Sequence, residues 1–462
     1  MKKYIAILTF LAVVAACSKD ETGGDGEQTH AAPTTLTVTP ESLSVEKTGG
    51  TLSLSVESPT RPKVTVNADW ISVADGTYKD YRIIFTVKVP AFDGFGEREA
   101  VLTVTAGSLS KSVSLTQQGR EYVENNVDID KSLVTTNPTD GAKKLYDFLL
   151  ENYGKKTVSS VMADVNWNTS VAQKVFQNTG KYPAMNCFDF IHIYVPKNNW
   201  INYNDLTPVT DWAEAGGIVS LMWHFNVPLS ASTEVKADGS GVTCSPDKTT
   251  FMPSNALKEG TWEYNWYTDQ MDKVADIILQ LQELGIAAIW RPYHEAAGNY
   301  HALKWKGSAW FWWGAEGPEI FKALWNDMFE RFAAKGIRNL IWVWTAQSNN
   351  GDASAYDSDV SWYPGDNQVD IVARDIYGWS ASGAAQDFKT LQHQYNHKMI
   401  VLGECGHGSD VEFPALREIW SNEGYYGWFM PWYENGATMV SWEWWKSALS
   451  SGFVLTREDI NL

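Results

Sequence analysis

The stretch "IAAIWRPYHEAAGNY", residues 286–300, decides the fold. It opens with an apolar run, Ile286–Trp290, of strand length. Arg291, His294 and Glu295 follow at once, with aromatic residues on both sides. A continuous apolar run suits a strand covered on both faces, where neither side meets water. Ionisable groups crowded where such a run stops lie at the carboxyl end of the strand. In folds built on parallel strands, that is the end where functional groups gather.

Similar runs recur on both sides of this one. They are "KTVSSVMA" (156–163), "PAMNCFDF" (183–190), "GIVSLMWHF" (217–225), "LIWVWTA" (340–346), "VDIVARDIY" (369–377), "MIVLGE" (399–404) and "ATMVSWEWW" (437–445). Helical patterns lie between many of them. "DQMDKVADIILQLQELG" is amphipathic and ends at Gly285, and "GPEIFKALWNDMFERFAAKG" starts with Pro318 and closes at Gly336. Eight strand-like runs alternating with helices predict a (β/α)8 barrel over 141–462. A doubly wound open sheet is the alternative, but no glycine-rich phosphate loop follows the first run.

The region 33–119 has a different texture. "TLTVTPESLSVEKTGGTLSLSVES", "RIIFTVKVP" and "AVLTVTAGSLSKSVSLTQQG" alternate apolar residues with Ser, Thr or Lys between Gly and Pro turns. Period-2 patterning of this kind predicts a small all-β, immunoglobulin-like sandwich. Trp70 reads as core there. Residues 18–32 and 120–140 are polar and aperiodic, a tether and a linker.

The first 17 residues, MKKYIAILTFLAVVAAC, place two lysines before an apolar run too short to span a bilayer. They read as an export signal. Without Cys17 three cysteines remain, Cys187, Cys244 and Cys405, an odd number with neither disulfide-framework nor zinc spacing. They read as buried free thiols, with one bridge open as an alternative. The net charge of −18 argues against a nucleic-acid partner, whose phosphates need a basic face. The 23 Trp and 20 Tyr are unusually many, and most of them read as core and scaffold. Some would serve as flat platforms for a neutral ligand with apolar faces, such as a sugar.

Glu295 alone could be a salt-bridge partner of Arg291, and Glu404 alone a turn cap. As a pair, at the ends of runs four and seven, they would face each other across a barrel mouth. Glycoside hydrolysis needs two such carboxyl groups, one protonated for the leaving oxygen and one bare and aimed at the sugar carbon. Asp375 reads as a partner of His294 or Arg291, or as part of a structural ion pair. Glu443 is a rival carboxylate, but alternation points it away from Trp442. Of Trp310, Trp312 and Trp313, one or two would line the cleft. No His, Cys or Asp spacing suggests a metal, and no cofactor is expected.

Across 141–462 the pieces "GGIVSLMWHF", "WRPYHE", "AWFWWG", "LIWVWTA", "WYPGDNQVDIVARDIY" and "VLGECG" resemble glycoside hydrolase family 26. The resemblance implies a (β/α)8 fold and retaining hydrolysis of β-linked polysaccharides, mostly as an endo-β-1,4-mannanase. It makes Glu295 the acid/base and Glu404 the nucleophile. It has His224 and His294 hydrogen-bond the reacting sugar, makes Trp442 the floor beneath that sugar, and has Tyr377 touch the nucleophile and hold its geometry. Arg291, from its place in the cluster, reads as a residue of the substrate site that holds a carboxylate in place. This chain departs from the family at Ala296-Ala297-Gly298 and in the insertion "NYHALKWKGSA" before Trp310. Those departures bear on substrate choice, so mixed-linkage β-glucan and β-xylan are alternatives to mannan. A non-catalytic surface glycan-binding lipoprotein is the alternative from another class. Residues 33–119, with "NADWISV" and "VSLTQQG", resemble the BACON domain, which serves either as a carbohydrate binder or as a spacer. Val14-Ala15-Ala16-Cys17 resembles a lipobox, and Ser18-Lys19-Asp20-Glu21 resembles the export tag of Bacteroidota surface lipoproteins. Together these imply a lipid on Cys17 and an outer-membrane, surface-exposed location, with the chain expected to be a monomer.

Overall fold

A computed structural model describes residues 35–92, 97–119, 128–164, 167–198, 200–298, 309–347, 360–408 and 411–462. The export signal, Cys17, the tether, residues 120–127 of the linker and the inserted segment 299–308 lie outside the described residues. The chain forms two units.

The N-terminal unit is a sandwich of two four-stranded sheets. One orders its strands as Thr37–Thr39, Gly50–Glu57, Arg82–Val89 and Ser72–Ala74. The other runs Ser42–Val45, Leu109–Gln118, Glu97–Ala106 and Lys63–Val66. Alternation decides which residues face inward. Leu54, Val56, Phe85, Val87, Leu102, Val104, Val113 and Leu115 fill the space between the sheets, and Trp70 packs against them.

The second unit is a (β/α)8 barrel. Its strands are β1 (Thr157–Met162), β2 (Met185–Asp189), β3 (Ile218–Trp223), β4 (Ala288–Pro292), β5 (Leu340–Ala346), β6 (Ile371–Tyr377), β7 (Met399–Gly406) and the short β8 (Trp428–Phe429). Neighbours pair in parallel from β1 to β7, and β8 pairs with β1. The seam with β7 closes just beyond β8, where Cys405 N–H donates to Met430 O and Trp432 N–H to Cys405 O, both at 2.9 Å.

Helix caps follow the chemistry of the sequence. The helix Trp262–Glu283 starts where Thr261 accepts from the Tyr264 N–H, and the chain turns off it at Gly285, whose φ of 77° suits glycine. Pro318 opens the helix Pro318–Ala334.

The eighth sequence run is corrected. "ATMVSWEWW" is not a strand. Ala437–Thr438 forms a hairpin with Tyr433–Glu434, and Trp442–Leu449 is a helix capped by Ser441, which accepts from the Trp444 N–H. An apolar run with a Ser start fits a helix as well as a strand, and here the cap decides. Glu443 is exposed in the first turn of that helix.

Inside the barrel the side chains stack in layers. Ile218, Ile289, Ile341, Ile371 and Met399 belong to the lowest, and Met162, Cys187, Met222 and Met430 lie above them. Polar groups crown the stack. Cys187 and Cys405 are buried free thiols, and Cys244 is free and partly exposed.

Candidate active site

The crown is built around Arg291, which points inward from β4 and is only 3% exposed. Its Nε donates to Thr345 Oγ1 at 2.9 Å and its Nη1 to Glu404 Oε1 at 2.8 Å, while Nη2 pairs with Asp375. One guanidinium thus holds two carboxylates from β6 and β7. Tyr377 donates to the other Glu404 oxygen at 2.6 Å. Burial, and then the negative charge of Glu404, push the Tyr377 hydroxyl well above its ordinary pKa, so it stays a donor.

Strict alternation along β7 would point Glu404 the wrong way. Met399 and Val401 face the interior, Ile400 and Leu402 face the helices, and Gly403 faces inward again. Glu404 should then face the helices. The register with β6 slips at this point. Arg374 pairs with Leu402 but Asp375 with Glu404, which leaves Gly403 as an extra residue. This bulge turns Glu404 into the barrel mouth. Only glycine fits there, because a Cβ would lie 2.6 Å from Asp375 Oδ1 and 2.9 Å from Arg291 Nε.

Glu295 follows β4 in a left-handed backbone conformation, φ 53°, as does Tyr293 at 47°. Such positions cost about 1–3 kcal/mol each in non-glycine residues and persist only when held. Here Trp313 Nε1 donates to His294 O at 2.9 Å and Gly298 N–H to Glu295 O at 2.8 Å. Oxygens of Glu295, Asp375 and Glu404 all lie within 4.8 Å of one another. Burial, followed by the charges of Asp375 and Glu404, raises the Glu295 carboxyl well above the usual range. Asp375 is pushed up to about 7, mainly by burial. Asp375 Oδ1 has no hydrogen-bond partner among the described residues, and the Glu295 carboxyl stands within 4.8 Å of the Asp375 carboxylate.

His224 stands at the end of β3. Its Nδ1 lies 2.6 Å from Asp189 Oδ2, and its backbone N–H donates to Asp189 Oδ1 at 3.0 Å. Burial opposes the imidazolium, but the Asp189 carboxylate more than offsets it and raises the His224 pKa. His294 packs edge-on against His224, with ring centroids 4.4 Å apart. Burial, then the charges of His224 and Arg291, lower its pKa far below normal, so His294 is neutral. Replacing Asp189 by Asn is expected to lower kcat/KM about 100-fold, the scale of a misplaced contact. It should also shift the His224 titration downward by NMR. An unchanged titration would refute the dyad.

These groups line a cavity of about 330 Å³. His224, His294, Glu295, Tyr377 and Glu404 meet there with Asp375 and Trp310. Arg291 lies beneath the cavity and holds Glu404 and Asp375 in place, as its position in the sequence led us to expect, rather than a ligand. Other expectations are corrected by position. Trp313 is fully buried behind His294, stacked 4.4 Å from Phe311, and it is Phe311 that reaches the cavity. Trp442 sits on the C-terminal helix, packed against the outer core, so the aromatic wall on the β8 side is Trp432 instead. Trp379, Gln347 and Asp189 were also missed. Asp189 had a signal, the acidic residue near the end of "PAMNCFDF". Trp432 follows a strand too short for periodicity to reveal.

Residues 134–459 match the family described as "Glycosyl hydrolase family 26", and residues 43–118 match BACON, "Putative binding domain, N-terminal". A mannan endo-1,4-beta-mannosidase of Thermothelomyces thermophilus is 32% identical over 348 residues, covering 72% of this chain and 64% of its own length. Mannan endo-1,4-beta-mannosidase A of a Piromyces species is 31% identical, covering 66% of this chain and 46% of its own. The chain thus spans about half to two thirds of these relatives. The crystal structure of the GH26 domain of an endo-beta-mannanase/endo-beta-glucanase from Prevotella bryantii is 49% identical, with a TM-score of 0.70. It aligns with 72% of this chain and 100% of that domain. A beta-mannanase from a symbiotic protist of the termite Reticulitermes speratus, complexed with gluco-manno-oligosaccharide, is 30% identical. Its TM-score is 0.59, and the match covers 73% of this chain and 99% of that one. With its barrel, its paired strand-end glutamates and this extent of similarity, the chain belongs to glycosyl hydrolase family 26.

Proposed function

We propose that this chain is a retaining endo-β-1,4-mannanase. The observation that carries the reading is the placement of Glu295 and Glu404, with oxygens within 4.8 Å, in one cavity at the ends of β4 and β7. Oxygens this close let both carboxyl groups act on one glycosidic bond, which supports the retaining reading, in which the groups stand about 5–5.5 Å apart. Mannan is favoured because the curated and structural relatives above carry that activity in their names.

In the first step a Glu404 oxygen attacks the anomeric carbon. The glycosidic C–O bond breaks, its electron pair goes to the departing oxygen, and that oxygen takes the Glu295 proton. In the second step water attacks the same carbon and gives a proton to Glu295, and the bond to Glu404 breaks. Two displacements on opposite faces retain the β configuration. Arg291 and Tyr377 hold Glu404 in place through both steps. His224 and His294 stand where the reacting sugar's hydroxyls would lie.

The raised pKa of Glu295 sets the sign of the pH dependence. A carboxyl held above its ordinary range keeps its proton at neutral pH and loses it on the alkaline side. Expected is a falling alkaline limb of kcat/KM, belonging to the Glu295–Asp375 pair. With aryl mannosides whose leaving group needs no proton, the limb should disappear. A limb of equal depth on both substrates would rule out Glu295 as the acid.

A panel of mannan, glucomannan, galactomannan, mixed-linkage β-glucan and xylan tests the substrate, and product anomers followed by NMR test retention. Cleavage of β-glucan or xylan in preference to every mannan would overturn the mannanase reading. Failure on the whole panel would favour a non-catalytic glycan binder. A lipid on Cys17, which would place the enzyme on the outer-membrane surface, belongs to the same proposal. Protease shaving of intact cells tests it, since a surface enzyme is released.

A further inference from the structure

We infer that His407 and Glu434 form a pH-dependent strut that sets the Trp432 wall of the catalytic cavity, so that both are positioning residues for substrate binding. The inference rests on the hydrolase reading above.

Trp432 is the last residue before the hairpin of Tyr433–Glu434 with Ala437–Thr438. The foot of that hairpin is sewn to β7. Trp432 N–H donates to Cys405 O at 2.9 Å, and Met439 N–H donates to Trp432 O at 2.8 Å. Beyond the foot the ribbon has only two residues a side, and so short a hairpin does not hold itself in water. Its turn is pinned by Lys174, from the helix Ser170–Thr179, which donates to Gly436 O. Its first strand is pinned by Glu434, whose Oε2 lies 3.0 Å from His407 Nε2. Tyr433, between Trp432 and Glu434, packs its ring on the Trp432 indole with centroids 5.1 Å apart. The indole in turn stands 5.8 Å from the His224 ring in the cavity wall. A shift of Glu434 is therefore passed through Tyr433 to the surface that meets the sugar.

His407 is fixed where such a strut needs its footing. It lies three residues beyond Glu404, where the end of β7 is tied to the end of β6. Gly378 N–H donates to Gly406 O at 3.0 Å, and a Cβ on Gly408 would lie 3.0 Å from Gly378 Cα. His407 N–H donates to Met439 O at 3.3 Å. The imidazole has an oxygen at each nitrogen, Gly408 O at 2.9 Å from Nδ1 and the Glu434 carboxylate at Nε2. Carbonyl and carboxylate oxygens only accept, so only the imidazolium, with a proton on both nitrogens, satisfies the two at once. The Glu434 bond first, and then the Gly408 bond, raise the His407 pKa, and the charge of Glu412 acts in the same direction. Tyr377, packed against Gly406 from β6, is a neutral donor spent on Glu404. Lys174 and Asp164 face the hairpin's turn at Gly436. A raised pKa means that the strut is complete below it and lost as pH rises through it.

The experiment compares wild type, His407→Ala, Glu434→Gln and His407→Arg on an aryl mannoside, at a pH on each side of the His407 pKa located by NMR. Side chains 36% and 46% exposed make this a weak pair, so His407→Ala and Glu434→Gln should raise KM about threefold below that pKa. Above it they should match wild type, and kcat should equal that of wild type at both pH values, as for a loss of binding alone. His407→Arg, a cation throughout, should keep KM low on both sides. Glu434→Gln should also move the His407 titration downward. Wild-type KM in the variants below the pKa, an excess of the same size on both sides, or an unmoved titration would overturn the strut. If wild type cleaves nothing, the hydrolase reading fails by itself. Electrophoresis in mannan-containing gels at the two pH values then decides the strut alone. Weaker retardation of His407→Ala at the lower pH only supports it, and absent or equal retardation overturns it.

Discussion

Replacing Glu404 by alanine should lower kcat on mannan by about 10⁴-fold or more, the scale seen when a catalytic nucleophile is removed. The barrel should stay folded, because the change also removes a buried charge. Glu295→Ala should behave differently. Its loss should be severe on mannan and much smaller on aryl mannosides, since the first step then needs no proton. Azide separates the two roles. Entering the space left by Glu404, it attacks from the nucleophile's side and yields an α-glycosyl azide. In Glu295→Ala it attacks the covalent intermediate from the opposite side and yields a β-glycosyl azide. The same anomer from both variants would refute the assignment of roles.

Arg291→Met should have the largest effect on stability. The side chain is buried and bonds Glu404 and Asp375, both buried as well. Taking away one partner of such a cluster strands charge in a dry interior, a loss of about 3–5 kcal/mol. Arg291→Lys should rescue little, since an ammonium group lacks the fork that serves three acceptors at once. The sign with pH is definite. Burial already raises Asp375 to about 7, and without the guanidinium it moves higher. Carboxyls raised in the folded state stabilise it at low pH and lose that contribution as pH rises through their folded values. The deficit of Arg291→Met against wild type, measured by urea unfolding, should therefore shrink from pH 8 towards pH 5. A deficit constant across that range would mean lost packing rather than stranded charge.

The strand-end rule explains what was legible. Apolar runs that stop at ionisable residues mark β3, β4, β6 and β7, and they led to His224, His294, Glu295, Tyr377 and Glu404, which share one cavity. The same rule applied to "PAMNCFDF" would have reached Asp189, which was passed over. It fails at β8, because only Trp428–Phe429 forms a strand and the barrel closes through the hydrogen bonds of Met430 and Trp432 instead. With β8 misplaced, Trp442 stood in for Trp432. Arg291 shows a different limit. Its position was readable, but its two carboxylate partners come from strands more than 80 residues away, a distance only the fold closes. Trp310 and Trp313 are three positions apart in one aromatic cluster, yet one is exposed and the other fully buried. Composition cannot separate them.

The extra residue at Gly403 makes the aim of Glu404 a matter of counting. Side-chain changes nearby leave that count intact, and loss of Gly403 itself would restore plain alternation with Glu404 still inward, but one residue inserted between Met399 and Gly403 would turn Glu404 toward the helices. Descendants of this gene should therefore vary freely in loop length while β7 keeps its length. A library of one-residue insertions should show a dead zone there, sharply bounded and far narrower than the zone for unfolding.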